Sequence, residues 1–150
     1  MATIDQIRTK WDTTVWASSS ILEPVFPYEF TEESEKETAA LRHNGRINFW
    51  TYTVELATQF MMASRRSDEW TVTVSYYLEH SARGDNYNAV LDKWETLYSL
   101  VRTDLGLTWG NLVGGYNHQT EPLAIEQITI DSRKVWRFKY KFIAFDTTAV

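Results

Sequence analysis

Apolar positions recur along this chain with two periods, and each change of period marks an element. Ile4, Ile7 and Trp11 share one helical face, and Thr3 with Gln6 three residues on forms a capping box. The helix should fade through Thr13-Thr14-Val15 and Ser18-Ser19-Ser20, where β-branched and serine side chains lower helix propensity. Residues 46–62 read as a long strand, with Asn48, Trp50, Tyr52, Val54 and Leu56 on one face. Ile47, Phe49, Thr51, Thr53 and Glu55 take the other, and rings on both faces predict cover on both sides. After a polar turn at 64–68, residues 69–79 alternate most cleanly. There Trp70, Val72, Val74, Tyr76 and Leu78 oppose Thr71, Thr73, Ser75, Tyr77 and Glu79, the pattern of a half-buried strand.

The loop 80–86 carries candidate N-caps, and a helix is expected over 87–104. Its stripe is Val90, Leu91, Trp94, Leu97, Tyr98, Val101 and Leu105, as on a helix lying against a sheet, with Gly106 as its stop. Residues 106–122, with four glycines, Trp109 and Tyr116, read as a long loop. Strands follow at 123–131 and 135–145, joined by the turn Asp131-Ser132-Arg133-Lys134. Trp136, Phe138, Tyr140, Phe142 and Ala144 should face inward and Arg137, Lys139 and Lys141 outward, with Glu126 opposite Lys139. Between the first helix and first strand, Pro24 and Pro27 favour extended chain, and the acidic run 31–37 reads as a loop in preference to a short helix. The order α-β-β-α-β-β predicts one α+β domain over 1–150: a mostly antiparallel sheet packed by one long helix plus a short N-terminal helix.

Composition changes this picture in one respect. Of the 150 residues, 15% are aromatic, with seven Trp, eight Tyr and seven Phe. At roughly 150–250 Å² buried per ring, this exceeds what one small core needs. Periodicity assigns many rings to the core. Phe49 or Trp50, Phe26, Tyr28, Phe30, Trp109 and Tyr116 are left as a surplus expected at a cavity or another subunit.

The net charge of −5 disfavours a dedicated duplex binder, which usually carries a basic total. The charge is uneven: residues 1–45 hold eight acids and four bases, and 132–150 hold five bases and one acid. With no Cys, disulfides and thiolate chemistry are excluded. The N-terminus lacks the basic and apolar regions of a signal peptide, and no apolar run is long enough to span a membrane, so a soluble intracellular chain is expected.

Chemistry-bearing motifs are absent. His43, His80 and His118 lack ligand spacing, no G-x-S-x-G elbow occurs, and the glycines of 106–122 match neither a P-loop nor a dinucleotide fingerprint. Glu55 and Glu79 are the only carboxylates on strands that invite an acid–base reading, and exposed charge explains them as well. No enzyme, cofactor or metal is therefore expected. Two classes remain: an assembly protein using its rings at subunit interfaces, and a monomeric or dimeric small-molecule-binding domain with an aromatic pocket, NTF2-like or START-like. The short N-terminal helix suits the first better.

The element order resembles the tail terminator proteins of long-tailed bacteriophages. The similar parts are residues 4–11, the strand 70–78, the helix through Trp94 and Leu97, and the closing strand 135–142. Related phage neck and tail-tube proteins share this outline. The resemblance implies a virion structural protein, assembled in the host cytoplasm. It would form a homo-oligomeric, hexameric ring that caps the tail tube and stops its polymerisation. The implied partners are the tail tube protein and the head–tail connector, with DNA only passing through the lumen and no membrane. No residue role carries over. From residue type and predicted exposure, the interface candidates are Trp50, Arg65, Arg66, Trp109, Arg137, Lys139 and Lys141.

Overall fold

The structure, a computed structural model, describes residues 4–28, 42–43, 46–62, 65–81, 86–101, 112–118, 123–130 and 132–149. Helix α1 (Ile4–Trp11) runs directly into a π-helical turn, Asp12–Trp16. The strands are β1 (Val25–Phe26), β2 (Arg42–His43), β3 (Arg46–Met62), β4 (Arg65–Glu79), β5 (Leu112–His118), β6 (Ile125–Ile130) and β7 (Arg133–Ala149), and helix α2 is Tyr87–Leu100. Among the described residues the sheet order is β1-β3-β4-β7-β5, with β2 added to β3 and β6 to β7. The β1–β3 pair is parallel and the remaining pairs are antiparallel, so the sheet is mixed and the fold is α+β.

The long ribbon β3-β4-β7 has one apolar face that meets both helices. Ile7, Trp11 and Val15 from the N-terminal helix and Val90, Leu97 and Val101 from the α2 segment pack on Trp50, Tyr52, Val54, Trp70, Val72, Val74, Tyr76, Phe138, Tyr140 and Phe142. Burying an aliphatic or phenyl side chain stabilises by about 1.5–3 kcal/mol, so this layer dominates the fold's stability. Rings mesh across strands: Trp50 lies 4.5 Å from Tyr76 and 5.8 Å from Phe138 between centroids. The opposite face is divided. At one end Ile47, Phe49, Tyr77, Ile130 and Val135 form a second buried cluster, joined by Phe26 and Ile128. Beyond it the face turns polar at Thr51, Thr53, Thr73 and Ser75. Among the described side chains, the expected cover on both sides of β3 thus holds for the end near Ile47 and Phe49.

Five expectations are corrected. The first helix does not fade at Thr13: Thr13 Oγ1 donates to the carbonyl of Thr9 at 2.9 Å, and the wider turn carries Trp16 onto the core. Arg65–Asp68 belong to β4, because their backbone is paired on both sides, to β3 and β7. Part of the supposed glycine loop is a strand, β5, bonded to β7. Finally, Glu126 faces Arg137 rather than Lys139, since the β6–β7 turn closes between Ile130 and Arg133. Ser132 sits there at φ 62°, the left-handed conformation such a tight turn demands. Asn86, a candidate cap, makes no capping bond; its amide donates to the Glu79 carbonyl and accepts from Trp136 Nε1. The capping residue Thr3, the acidic run 31–37 and residues 102–104 lie outside the described residues.

Candidate functional surface

Alternation on three neighbouring strands stacks polar residues into rungs on the face opposite the helices. One rung is Thr51, Ser75 and Lys139; the next is Thr53, Thr73 and Lys141. Successive rungs are two residues apart, roughly 6.8 Å at ~3.4 Å per residue. With Glu55 they line a hollow of about 170 Å³. The preceding rung is Phe49, Tyr77, Arg137 and Glu126. Phe49 and Tyr77 stack there at 4.5 Å and 6°. Arg137, Lys139 and Lys141 therefore form one cationic column down β7.

Arg137 anchors this column. It is half-buried, and burial acts against its charge, but bonds to Glu126 and Tyr77 outweigh that and raise its pKa. Burial raises the Tyr77 pKa, while Arg137, Lys139 and the Thr51 hydroxyl work against the rise. Hydroxyls flanking a column of cations suit an anionic partner by charge-assisted hydrogen bonding.

Of the predicted interface residues, Arg137, Lys139 and Lys141 are brought together. Trp50 is corrected: expected at the surface, it is fully buried, and its indole donates to Glu23 Oε2 at 3.2 Å. Packing against Tyr76, Phe138 and Trp16 places that ring on the helix-covered face. Arg65 and Arg66 lie on β4 opposite Ala149 and Thr148, away from the hollow, and their side chains lie outside the described residues, as does Trp109. The strand carboxylates do not meet. Glu79 pairs with Arg133 at 2.7 Å, whereas Glu55 faces Thr71, roughly 27 Å along β4 at ~3.4 Å per residue.

Two groupings escaped the sequence reading. Glu23, only 7% exposed, accepts from Trp50 Nε1 and the Leu22 amide and pairs with Lys93. Its oxygens are thus committed to holding β3, α2 and the N-terminal segment together. The second grouping is a cleft of about 420 Å³ lined by Arg8, Asp12, Trp16, Val25, Pro27 and Tyr52. Arg8, Asp12 and Trp16 are spaced by four, the only signal in the sequence that they share a face.

Among the described residues, no three His, Asp or Glu side chains gather as a metal would require. No described helix is long and apolar enough to cross a membrane. No protein-family model matches the chain, and no curated protein matches it in sequence.

Proposed function

We propose that this chain is a structural subunit of a phage tail, a terminator that closes a ring on the tail tube and joins it to the head connector. One observation carries the reading: Arg137, Lys139 and Lys141 form a column beside hydroxyl rungs, on a sheet face that neither described helix covers. A ring needs two unlike faces on every subunit, each complementary to the other. The cationic column is one such face, and its complement would come from acids of the N-terminal third, where the sequence holds eight acids against four bases over residues 1–45; Glu23 and Asp12, bonded within the chain, do not contribute. The mechanism is docking and steric capping rather than catalysis, with a homo-hexamer as the working form.

The test is a tube-capping assay. Added to polymerising tail tube protein, the chain should shorten the tubes and appear as a ring at one end. The double variant Lys139→Glu/Lys141→Glu should lose the ring and the capping, and acidic-to-basic changes at Asp5 and Glu33 should partly restore both. Tubes of unchanged length with the parent chain would overturn the proposal. Capping untouched by the charge reversals would remove the cationic face from it.

A further inference from the structure

The hollow on the uncovered sheet face is centred on Thr73 of β4. Thr53 of β3 stands on one side of it and Lys141 of β7 on the other, at the same level. Neighbouring strands lie roughly 4.8 Å apart, so both flanks are within reach of a group resting on Thr73. Lys139 stands one rung away on the Lys141 side, and Glu55 one rung away in the opposite direction on the Thr53 side. Thr51 and Ser75, only 3% and 4% exposed, close the floor in the rung of Lys139. A bound molecule therefore meets the exposed Lys139, Lys141 and Glu55 and the half-buried Thr53 and Thr73.

This set restricts what can bind. Two ammonium groups against one carboxylate leave the hollow net positive, which favours an anion. Ammonium groups on one flank and hydroxyls beside them suit several acceptor oxygens carried on one centre. At about 170 Å³ the hollow is smaller than pockets for drug-sized ligands, roughly 300–1,000 Å³, and suits a small ion. Glu55 then selects among small oxyanions. An ionised carboxylate only accepts hydrogen bonds, so it repels sulfate, which carries no proton at neutral pH. Hydrogen phosphate keeps an O–H that donates to a carboxylate.

We propose that this hollow binds inorganic phosphate and that bound phosphate opposes ring closure. The phosphate oxygens accept from Lys139 Nζ, Lys141 Nζ and the hydroxyls of Thr53 and Thr73, and the phosphate O–H donates to the Glu55 carboxylate. Binding concerns the single chain. The effect on closure rests on the ring proposed above, because the neighbour's acids would dock on the same two lysines.

The test titrates inorganic phosphate into the full ¹⁵N-labelled chain at neutral pH and constant ionic strength, with sulfate as the control, so that screening is equal for both anions. The backbone amides of Thr53, Thr73 and Lys141 should shift saturably with phosphate, and sulfate should bind about tenfold more weakly. Glu55→Gln should bring the two affinities together. Lys139→Gln/Lys141→Gln should weaken phosphate binding by about tenfold or more. All three side chains are exposed, so these variants keep the core intact. In the tube-capping assay, phosphate should give longer tubes than sulfate at equal ionic strength, with tubes grown without the chain as the reference. Absence of a saturable shift, equal binding of sulfate, or a preference that survives Glu55→Gln would each overturn the site. A chain that binds phosphate yet caps tubes equally in both salts would overturn the regulation. A chain that binds phosphate with this selectivity but caps no tube would support the site and overturn the ring instead.

Discussion

The indole N–H of Trp50 donates to Glu23 Oε2 at 3.2 Å, tying the middle of β3 to the segment just before β1. The same carboxylate pairs with Lys93 of α2, so one buried acid joins three parts of the chain. Burial alone would push the Glu23 carboxyl up, but Lys93, the backbone and Trp50 outweigh it and hold it below its usual value. A depressed folded-state pKa gives stability that is fully present above the unfolded value, about 4.3, and is lost as pH falls through the folded value. Glu23→Gln should therefore cost about 1.5–3 kcal/mol at neutral pH, the range for a hydrogen bond to a charged group. The cost should shrink as the pH drops below about 4. Urea denaturation across that range checks this, and a cost independent of pH would contradict it.

Alkaline pH should act through the tyrosines. Burial, reinforced by the Asp12 charge, pushes the Tyr52 hydroxyl up; burial and Glu23 do the same for Tyr76. A raised folded-state pKa means that unfolding releases protons above the ordinary tyrosine value. Stability should thus fall as pH rises beyond about 10. The double variant Tyr52→Phe/Tyr76→Phe should flatten that slope in urea titrations.

Phe138 is fully buried and meets Trp50 edge-on, with Tyr76 5.8 Å away on the same face. Truncation to Ala removes a ring from a layer that cannot collapse around the loss. Phe138→Ala should cost about 3–5 kcal/mol. Leu22, 68% exposed, supplies the contrast: Leu22→Ala should change stability by no more than about 0.5 kcal/mol. Equal midpoints for the two variants in thermal unfolding would mean that the sheet–helix layer is not the core.

Ser132 carries a left-handed backbone, φ 62°, in the turn between β6 and β7. A side chain in that region costs about 1–2 kcal/mol, part of which glycine returns as unfolded-state entropy. Ser132→Gly should raise stability by up to about 1 kcal/mol, and Ser132→Val should lower it. Paired chemical denaturation curves decide the sign.

Strand content was legible wherever one face is apolar and the other polar. The alternation over Trp70–Leu78 and over Trp136–Phe142 named the helix-covered face correctly, because period two is imposed by the pleat itself, but it left Tyr77 on the outer face, where the second cluster buries it. It failed at β5, where Gly114 and Gly115 remove the side chains that would report an alternating face. It also missed the continuation of the first helix through Asp12–Trp16. Threonine and valine argue against helix locally, and only the packing of Val15 and Trp16 against the core reverses that preference. Of the candidate surface, the outward placement of Arg137, Lys139 and Lys141 was readable. Their alignment with Thr51, Thr53, Thr73 and Ser75 was not, because register across strands is not written in any single strand.

The sequence by itself determined an α+β chain, a helix striped for a sheet and a closing strand with cations on its outer side. Local periodicity and residue chemistry suffice for these, since each depends on neighbours within a few residues. Only the tertiary structure decided that Trp50 is a core residue, that Glu126 meets Arg137, and that Arg8, Asp12, Trp16 and Tyr52 line one cleft. Each of these joins segments distant in sequence, and which pairings form depends on how the layers close together. The surplus of rings divides accordingly: Phe49 and Trp50 are both buried, on opposite faces of the same strand, because packing two layers against one strand consumes rings that a one-sided sheet would have left outside.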